Sequence, residues 1–190
     1  IGPQCSLIPT AKPSPSIDMI ITRKWAMPNK WTFEIPHIRK LIYKYGGDFK
    51  GWIDPFSGAN SPAEIRNDIN PDMPAEFHME AEEFAKQVED NRPGGLFDPP
   101  YSYRQVKEHY EFVGKKVTRL DTSTNFYSRV KNPMTDKIKV GGYVICCGWN
   151  SNGFGKKRGF ELIELLVVAH GTEHNDTLVT VERKFQDKLL

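Results

Sequence analysis

Cysteine is scarce in this chain: there are three, Cys5, Cys146 and Cys147. Neighbours on a strand point to opposite faces, so Cys146 and Cys147 do not pair with each other. A disulfide framework is excluded, and a cytoplasmic, reducing setting is the expectation. Long apolar runs are lacking too. No stretch approaches the length of a membrane span, and no charged-then-apolar signal segment is visible. Neither charge dominates: 26 Lys and Arg stand against 24 Asp and Glu, a net charge of +2. That balance permits a nucleic-acid partner without demanding one, since a local patch matters more than the sum. Metal-ligand spacing is poor. His170 and His174 share a loop with Glu173 and Asp176, but no second His/Cys pair accompanies them. No metal is expected, and the loop reads as self-stabilising or substrate-facing.

What is present suits one domain with a real core: 190 residues, 38% of them hydrophobic. Residues 1–19 contain Pro3, Pro9, Pro13 and Pro15 and read as an extended or disordered arm before a single domain over 20–190. Residues 20–33 hold Trp25 and Trp31 in a non-periodic run, which predicts an irregular segment packed in a surface groove. Ile35, Ile38, Leu41, Ile42 and Tyr45 fall at helical spacing, with Thr32 as candidate N-cap, Pro36 in the first turn and Gly46-Gly47 as the stop.

Short apolar runs then alternate with acids. Gly51–Asp54, Ala63–Arg66 followed by Asp68, Pro74–Met79 followed by Glu80, and Gly94–Asp98 each predict a strand ending near a carboxylate. A helix is expected over Ala81–Glu89, and another over Tyr103–Phe112. In an open α/β sheet, ligands bind at the carboxyl ends of the strands. Acids gathered there suit a ligand bearing hydroxyls and amino groups and would repel a polyphosphate. Val140–Cys147 is strand-like, and Phe160–Ala169 with Thr177–Arg183 predicts a hairpin.

The centre of the reading is Leu96–Gln105, where Leu96 and Phe97 run into Asp98-Pro99-Pro100-Tyr101. Two prolines continue neither a helix nor a central strand, so the strand ends in a stiff turn. An exocyclic amine donates two hydrogens and needs two acceptors; Asp98 and the carbonyl of Pro99 can supply them, and Tyr101 offers a stacking surface for a base. The alternative is a purely structural Pro-Pro turn.

Asp98-Pro99-Pro100-Tyr101 resembles the catalytic motif of methyltransferases that modify adenine N6 in DNA. Asp54-Pro55-Phe56-Ser57-Gly58 looks like their first cofactor motif, Asn67-Asp68-Ile69-Asn70-Pro71 like the second, and His78–Phe84 like the third. The resemblance covers roughly residues 20–184 and is closest to small prokaryotic and viral members. It implies a Rossmann-like seven-stranded α/β sheet, mostly parallel with an antiparallel final hairpin, and S-adenosylmethionine as methyl donor without a metal. Carried over, Asp54, Phe56 and Gly58 line the methionine end of that cofactor. Asp68 holds its ribose, and Glu80 with Ala81 its adenine. Asp98, Pro99, Pro100 and Tyr101 form the catalytic turn around a flipped-out adenine. Ser57-Gly58-Ala59 departs from the family's Phe-x-Gly-x-Gly, and the interval from Gly58 to Asp68 leaves no space for a full crossover helix.

DNA is the implied partner, with Lys156, Lys157, Arg158 and Arg104 as candidate phosphate contacts; a solvated turn is the alternative for the first three. A large target-recognition segment is missing, which leaves Gly114–Asn132 as candidate reader. A homodimer or a separate recognition subunit would supply the rest. RNA adenine, cytosine N4 and protein glutamine remain alternative acceptors, and an inactive nucleic-acid-binding subunit is the non-enzyme alternative.

Overall fold

In the computed structural model, residues 18–100, 114, 125–171 and 173–187 are described. Their strands are β1 Ile20–Trp25, β2 Ile53–Asp54, β3 Ile65–Arg66, β4 Arg92–Phe97, β5 Ile138–Gly148, β6 Phe160–Ala169 and β7 Thr177–Lys184. The helices are α1 Pro36–Gly46, α2 Ala81–Gln87 and α3 Asn125–Lys137. The strands form one sheet in the order β1-β6-β7-β5-β4-β2-β3, in which only β7 runs antiparallel to its neighbours. The expected fold class holds, as does the final hairpin.

Both faces of the sheet are covered, so the central strands are apolar on both sides. On one face, Ile38, Leu41 and Ile42 of α1 pack on Leu96, Ile145, Val168 and Val181. On the other, Phe84 of α2 and Val130 and Met134 of α3 pack on Ile53, Phe97, Val144 and Phe160. Cys146 and Cys147 lie in opposite cores, as strand alternation requires. Gly94 and Gly95 let these layers close on β4: a Cβ would come within 2.5 Å of Trp52 at the first and 2.2 Å of Met134 at the second. Lys44 and Tyr45 both donate to Glu164 Oε2, each at 2.6 Å, tying α1 to β6.

Two expected elements differ. Residues 20–25 form a regular strand, parallel to β6 from Ile20↔Glu164 to Trp25↔Ala169. This edge strand is exposed along nearly its whole length, so it has no buried face to impose an alternating pattern. Pro74–Met79 is not a strand; Asn67 and Phe77 make one isolated bridge there. The buried Asn67 side chain adds to the backbone bonds of that bridge. Its Nδ2 donates to the carbonyls of Pro55 and Met79, and its Oδ1 accepts from the Met79 amide at 3.1 Å. The seventh strand is therefore β1, at the opposite edge. The link from β2 to β3 contains no helix, as its length predicts.

The Tyr103–Phe112 helix and almost all of the arm lie outside the described residues. Gly114–Asn132 is described only at Gly114 and from Asn125, where α3 begins.

Candidate active site

Thr32 shows how the site is assembled. It opens a short 3-10 turn, Thr32–Glu34, but α1 starts after Ile35, with Pro36 in its first turn and no side-chain cap. The expected N-cap is absent: Ile35 takes that position, and Thr32 instead lines a cavity together with Asp98, beyond the end of β4. The segment before α1 thus reaches across the carboxyl ends of the central strands and walls a cavity there.

Asp98, Pro99 and Pro100 line that cavity from β4, Phe56 and Gly58 from the loop after β2, Asp68 from the loop after β3, and Glu80 and Ala81 from the start of α2. Lys30, Trp31 and Thr32 close it from the N-terminal side. Gly58 has a φ of 51°, in the left-handed region, and a Cβ there would sit 3.3 Å from the Trp31 ring. Its amide donates to Asp68 Oδ2 at 2.9 Å, while the Asn70 amide donates to Asp68 Oδ1 at 2.9 Å. Each carboxylate oxygen keeps a further lone pair for a donor in the cavity.

Asp54 stands apart. It is fully buried behind the wall, its Oδ1 accepting from the Phe56 amide at 2.9 Å and its Oδ2 from the Ser61 hydroxyl at 2.6 Å. It shapes the loop that carries Phe56 and Gly58. Burial pushes its pKa up to about 7, opposed by those hydrogen bonds and reinforced by the charges of Asp98 and Asp68. Asp98 keeps a partly exposed edge on the cavity but lies deep in protein, and burial likewise pushes it up to about 7, opposed by the nearby Thr32 hydroxyl. Two carboxyls at one strand-end layer therefore titrate near neutrality.

Helix α3 braces this region. Tyr127 donates its hydroxyl to the Pro100 carbonyl at 2.7 Å. One turn on, Lys131 donates to the carbonyls of Asn152 and Gly153, both at 2.8 Å, and lies over the rings of Phe97 and Phe154. Burial lowers its pKa. Glu182 of β7 accepts from the amides of Phe154 and Gly155. The loop after β5 is thus held from both sides.

The basic candidates separate. Lys156 and Lys157 are exposed on a 3-10 turn. Arg158 is half-buried and donates to Asn132 Oδ1 and the Phe154 carbonyl, both at 2.9 Å, so its guanidinium is occupied inside the chain. Tyr101 and Arg104 lie outside the described residues. His170 is buried, with Nδ1 2.9 Å from the Ala26 carbonyl and Nε2 2.9 Å from the Thr177 hydroxyl, a loop-stabilising role. Among the described residues no group of three His, Cys, Asp or Glu is arranged to hold a metal, and no helix is long and apolar enough to cross a membrane.

Sequence reasoning missed Lys30, Trp31 and Thr32 as cavity walls, Asn67 as the internal clasp and Tyr127 as the brace. A buried Asn directly before Asp68 was the one available local signal.

Searches by sequence find neither a matching family model nor a matching curated protein. Comparison of folds does find similar structures. TrmN from Thermus thermophilus aligns with a TM-score of 0.53 at 15% identity, over 80% of this chain and 49% of that one. The protein yhhF from Escherichia coli, described as a candidate methyltransferase, aligns with a TM-score of 0.52 at 9% identity, over 84% of this chain and 92% of that one. The likeness is one of fold. This chain spans about half the length of TrmN.

Proposed function

We propose that this protein is an S-adenosylmethionine-dependent methyltransferase whose acceptor is the N6 amine of adenine in DNA. The observation that carries the reading is the placement of Asp98-Pro99-Pro100 in the same cavity as Asp68, Glu80 and the Gly58 loop. The residues fit the cofactor chemically. Asp68 is a carboxylate with lone pairs for ribose hydroxyls, Met79 and Ala81 flank Glu80 as apolar walls for an adenine ring, and Gly58 permits close approach of backbone. When bound, the cofactor supplies an activated methyl on a sulfonium, so no metal is required. Likeness of fold to a candidate methyltransferase is consistent with this.

The chain's own task is positioning. The Asp98 carboxylate and the Pro99 carbonyl take the two amine hydrogens and draw the nitrogen lone pair out of conjugation with the ring. Positive charge that would grow on the nitrogen as it takes the methyl would be stabilised by both acceptors. The surplus proton on the alkylated nitrogen passes to Asp98 and then to solvent. A carboxyl titrating at about 7 is well matched to that transfer at neutral pH. The adenine must leave the duplex to reach the turn, with Tyr101 as its stacking partner. Lys156 and Lys157 meet phosphates.

The test is transfer of labelled methyl from S-adenosylmethionine to duplex DNA, single-stranded DNA, RNA and protein, followed by nucleoside and amino-acid analysis. Label in N6-methyladenine from DNA is expected. Label only in RNA, cytosine or glutamine would move the acceptor, and no transfer to any of them would overturn the enzyme reading.

A further inference from the structure

Among the described strands, β1 is the last on its edge of the sheet. The opposite edge ends in β3, two residues long, the short kind of edge that resists an added strand; β1 has six residues. The Ala26 amide, which continues β1, donates inward to the Ala169 carbonyl at 3.1 Å. Backbone groups alternate sides along a strand, so the even-numbered residues bond β6. The amides and carbonyls of Ile21, Arg23 and Trp25 therefore point out of the sheet. The side chains of these three also share one face. There Ile21 and Trp25 are 61% and 60% exposed, beside the partly buried Leu165 and Val167 of β6. One strand thus carries both an apolar stripe and a row of open hydrogen-bonding groups.

We propose that β1 is a dimer interface, to which a second copy of this chain adds its own β1 antiparallel to the first, with Thr22 on the two-fold axis. Register and charge select this occupant. Outward-pointing residues must oppose one another, so the pairing centres on a residue and not between two. Centred on Arg23, it would set two guanidinium groups face to face, which is destabilising. Centred on Ile21, it would leave Trp25 outside the pairing of the two strands. Centred on Thr22, Arg23 faces Ile21, Lys24 faces Ile20, and Met19 faces Trp25. The exposed Asp18 then lies diagonal to Lys24 of the second copy on the same face, within reach of that long side chain, twice by symmetry.

Residues 1–17 suit this edge less well. Pro3, Pro9, Pro13 and Pro15 leave no proline-free run longer than five residues, short of the six in β1. Every other strand except β7 runs in the direction of β1, and the two-fold reverses the second sheet. The two cavities consequently open at opposite edges of a joined sheet. Each copy keeps its own site, so the inference is independent of the reaction that site performs.

Sedimentation velocity on the full chain across the micromolar range tests the proposal, with circular dichroism as the check on folding. The wild type is expected to sediment as a dimer that dissociates on dilution. Arg23→Pro removes one outward amide and no bond to β6, and is expected to be folded and monomeric. Thr22→Cys and Ile20→Cys are compared under mild oxidant in a Cys5→Ser background, Cys146 and Cys147 being buried. Across the axis the two Thr22 Cα atoms would lie about 4.5 Å apart, within the span of a disulfide. The two Ile20 Cα atoms would lie about 13 Å apart. Disulfide-linked dimer is expected for Thr22→Cys and none for Ile20→Cys. A wild type that stays monomeric throughout the range would overturn the proposal and assign the edge to residues 1–17, to another protein or to solvent. A dimer that survives in folded Arg23→Pro, or equal cross-linking of the two cysteine variants, would overturn it as well. If Arg23→Pro does not fold, the cysteine pair decides alone.

Discussion

The amide of Gly58 donates to Asp68 Oδ2 at 2.9 Å, binding the loop after β2 to the loop after β3. The bond joins two cofactor candidates that the sequence presents as separate motifs. It makes Asp68 a member of the cavity wall as well as a carboxylate facing the cavity.

Replacing Asp68 therefore has two consequences. Asp68→Ala is expected to weaken S-adenosylmethionine binding by about 1–3 kcal/mol, the range for losing hydrogen bonds to a charged acceptor. It also releases the Gly58 and Asn70 amides, so the loop loosens. Calorimetry on Asp68→Ala and Asp68→Asn checks this. Unchanged affinity in the Ala variant would place the ribose elsewhere.

Asp98→Ala removes one of the two proposed amine acceptors. Methyl transfer is expected to fall roughly a hundredfold or more, as when an oriented transition-state partner is deleted. Cofactor affinity should change little. Asp98→Asn keeps one acceptor oxygen and should retain more activity than Ala. Full activity in Asp98→Ala, or loss of cofactor binding as its main defect, would remove Asp98 from the chemistry.

The basic turn divides by burial. Replacing Lys156 and Lys157 by Ala should weaken binding to all DNA sequences and flatten its salt dependence, without altering stability. Arg158→Ala should instead lower the denaturation midpoint, because Asn132 and the Phe154 carbonyl lose their donor. Salt titrations and urea melts on the two variants separate these effects. A flattened salt slope in Arg158→Ala with unchanged stability would reverse the assignment.

Stability should depend on pH through Asp54 and Asp98. Each titrates at about 7 in the folded chain against an ordinary value of 3.8. Between those limits the folded state holds protons that the unfolded state has released, so stability falls as pH rises. Their contribution is fully present below about pH 4 and is lost through pH 7. Urea midpoints measured across this window should decline more steeply in the wild type than in Asp98→Asn. Parallel slopes would show that Asp98 is ionised throughout.

Sequence alone determined the features that depend on neighbours in the chain. Periodicity placed the core face of α1, since helical spacing of Ile38, Leu41 and Ile42 is a local property. The acids at strand ends and the proline pair after Asp98 marked one edge of a parallel sheet as the place for a ligand. The short link between Gly58 and Asp68 foretold that no helix would fit there.

Tertiary structure decided what depends on partners far along the chain. An exposed edge strand carries no alternation, so β1 was not legible until β6 lay beside it. Thr32 could have capped a helix; only folding set it in the same cavity wall as Asp98. Asn67 ties Pro55 to Met79 through its own amide, which no propensity encodes. Motif order presents Asp54, Asp68, Glu80 and Asp98 as equivalent acids. Packing separated them, burying Asp54 behind the wall where its oxygens hold Phe56 and Ser61, and leaving the other three at the cavity. A carboxylate's role follows from what surrounds it, and the surroundings are set only when distant segments close on one another.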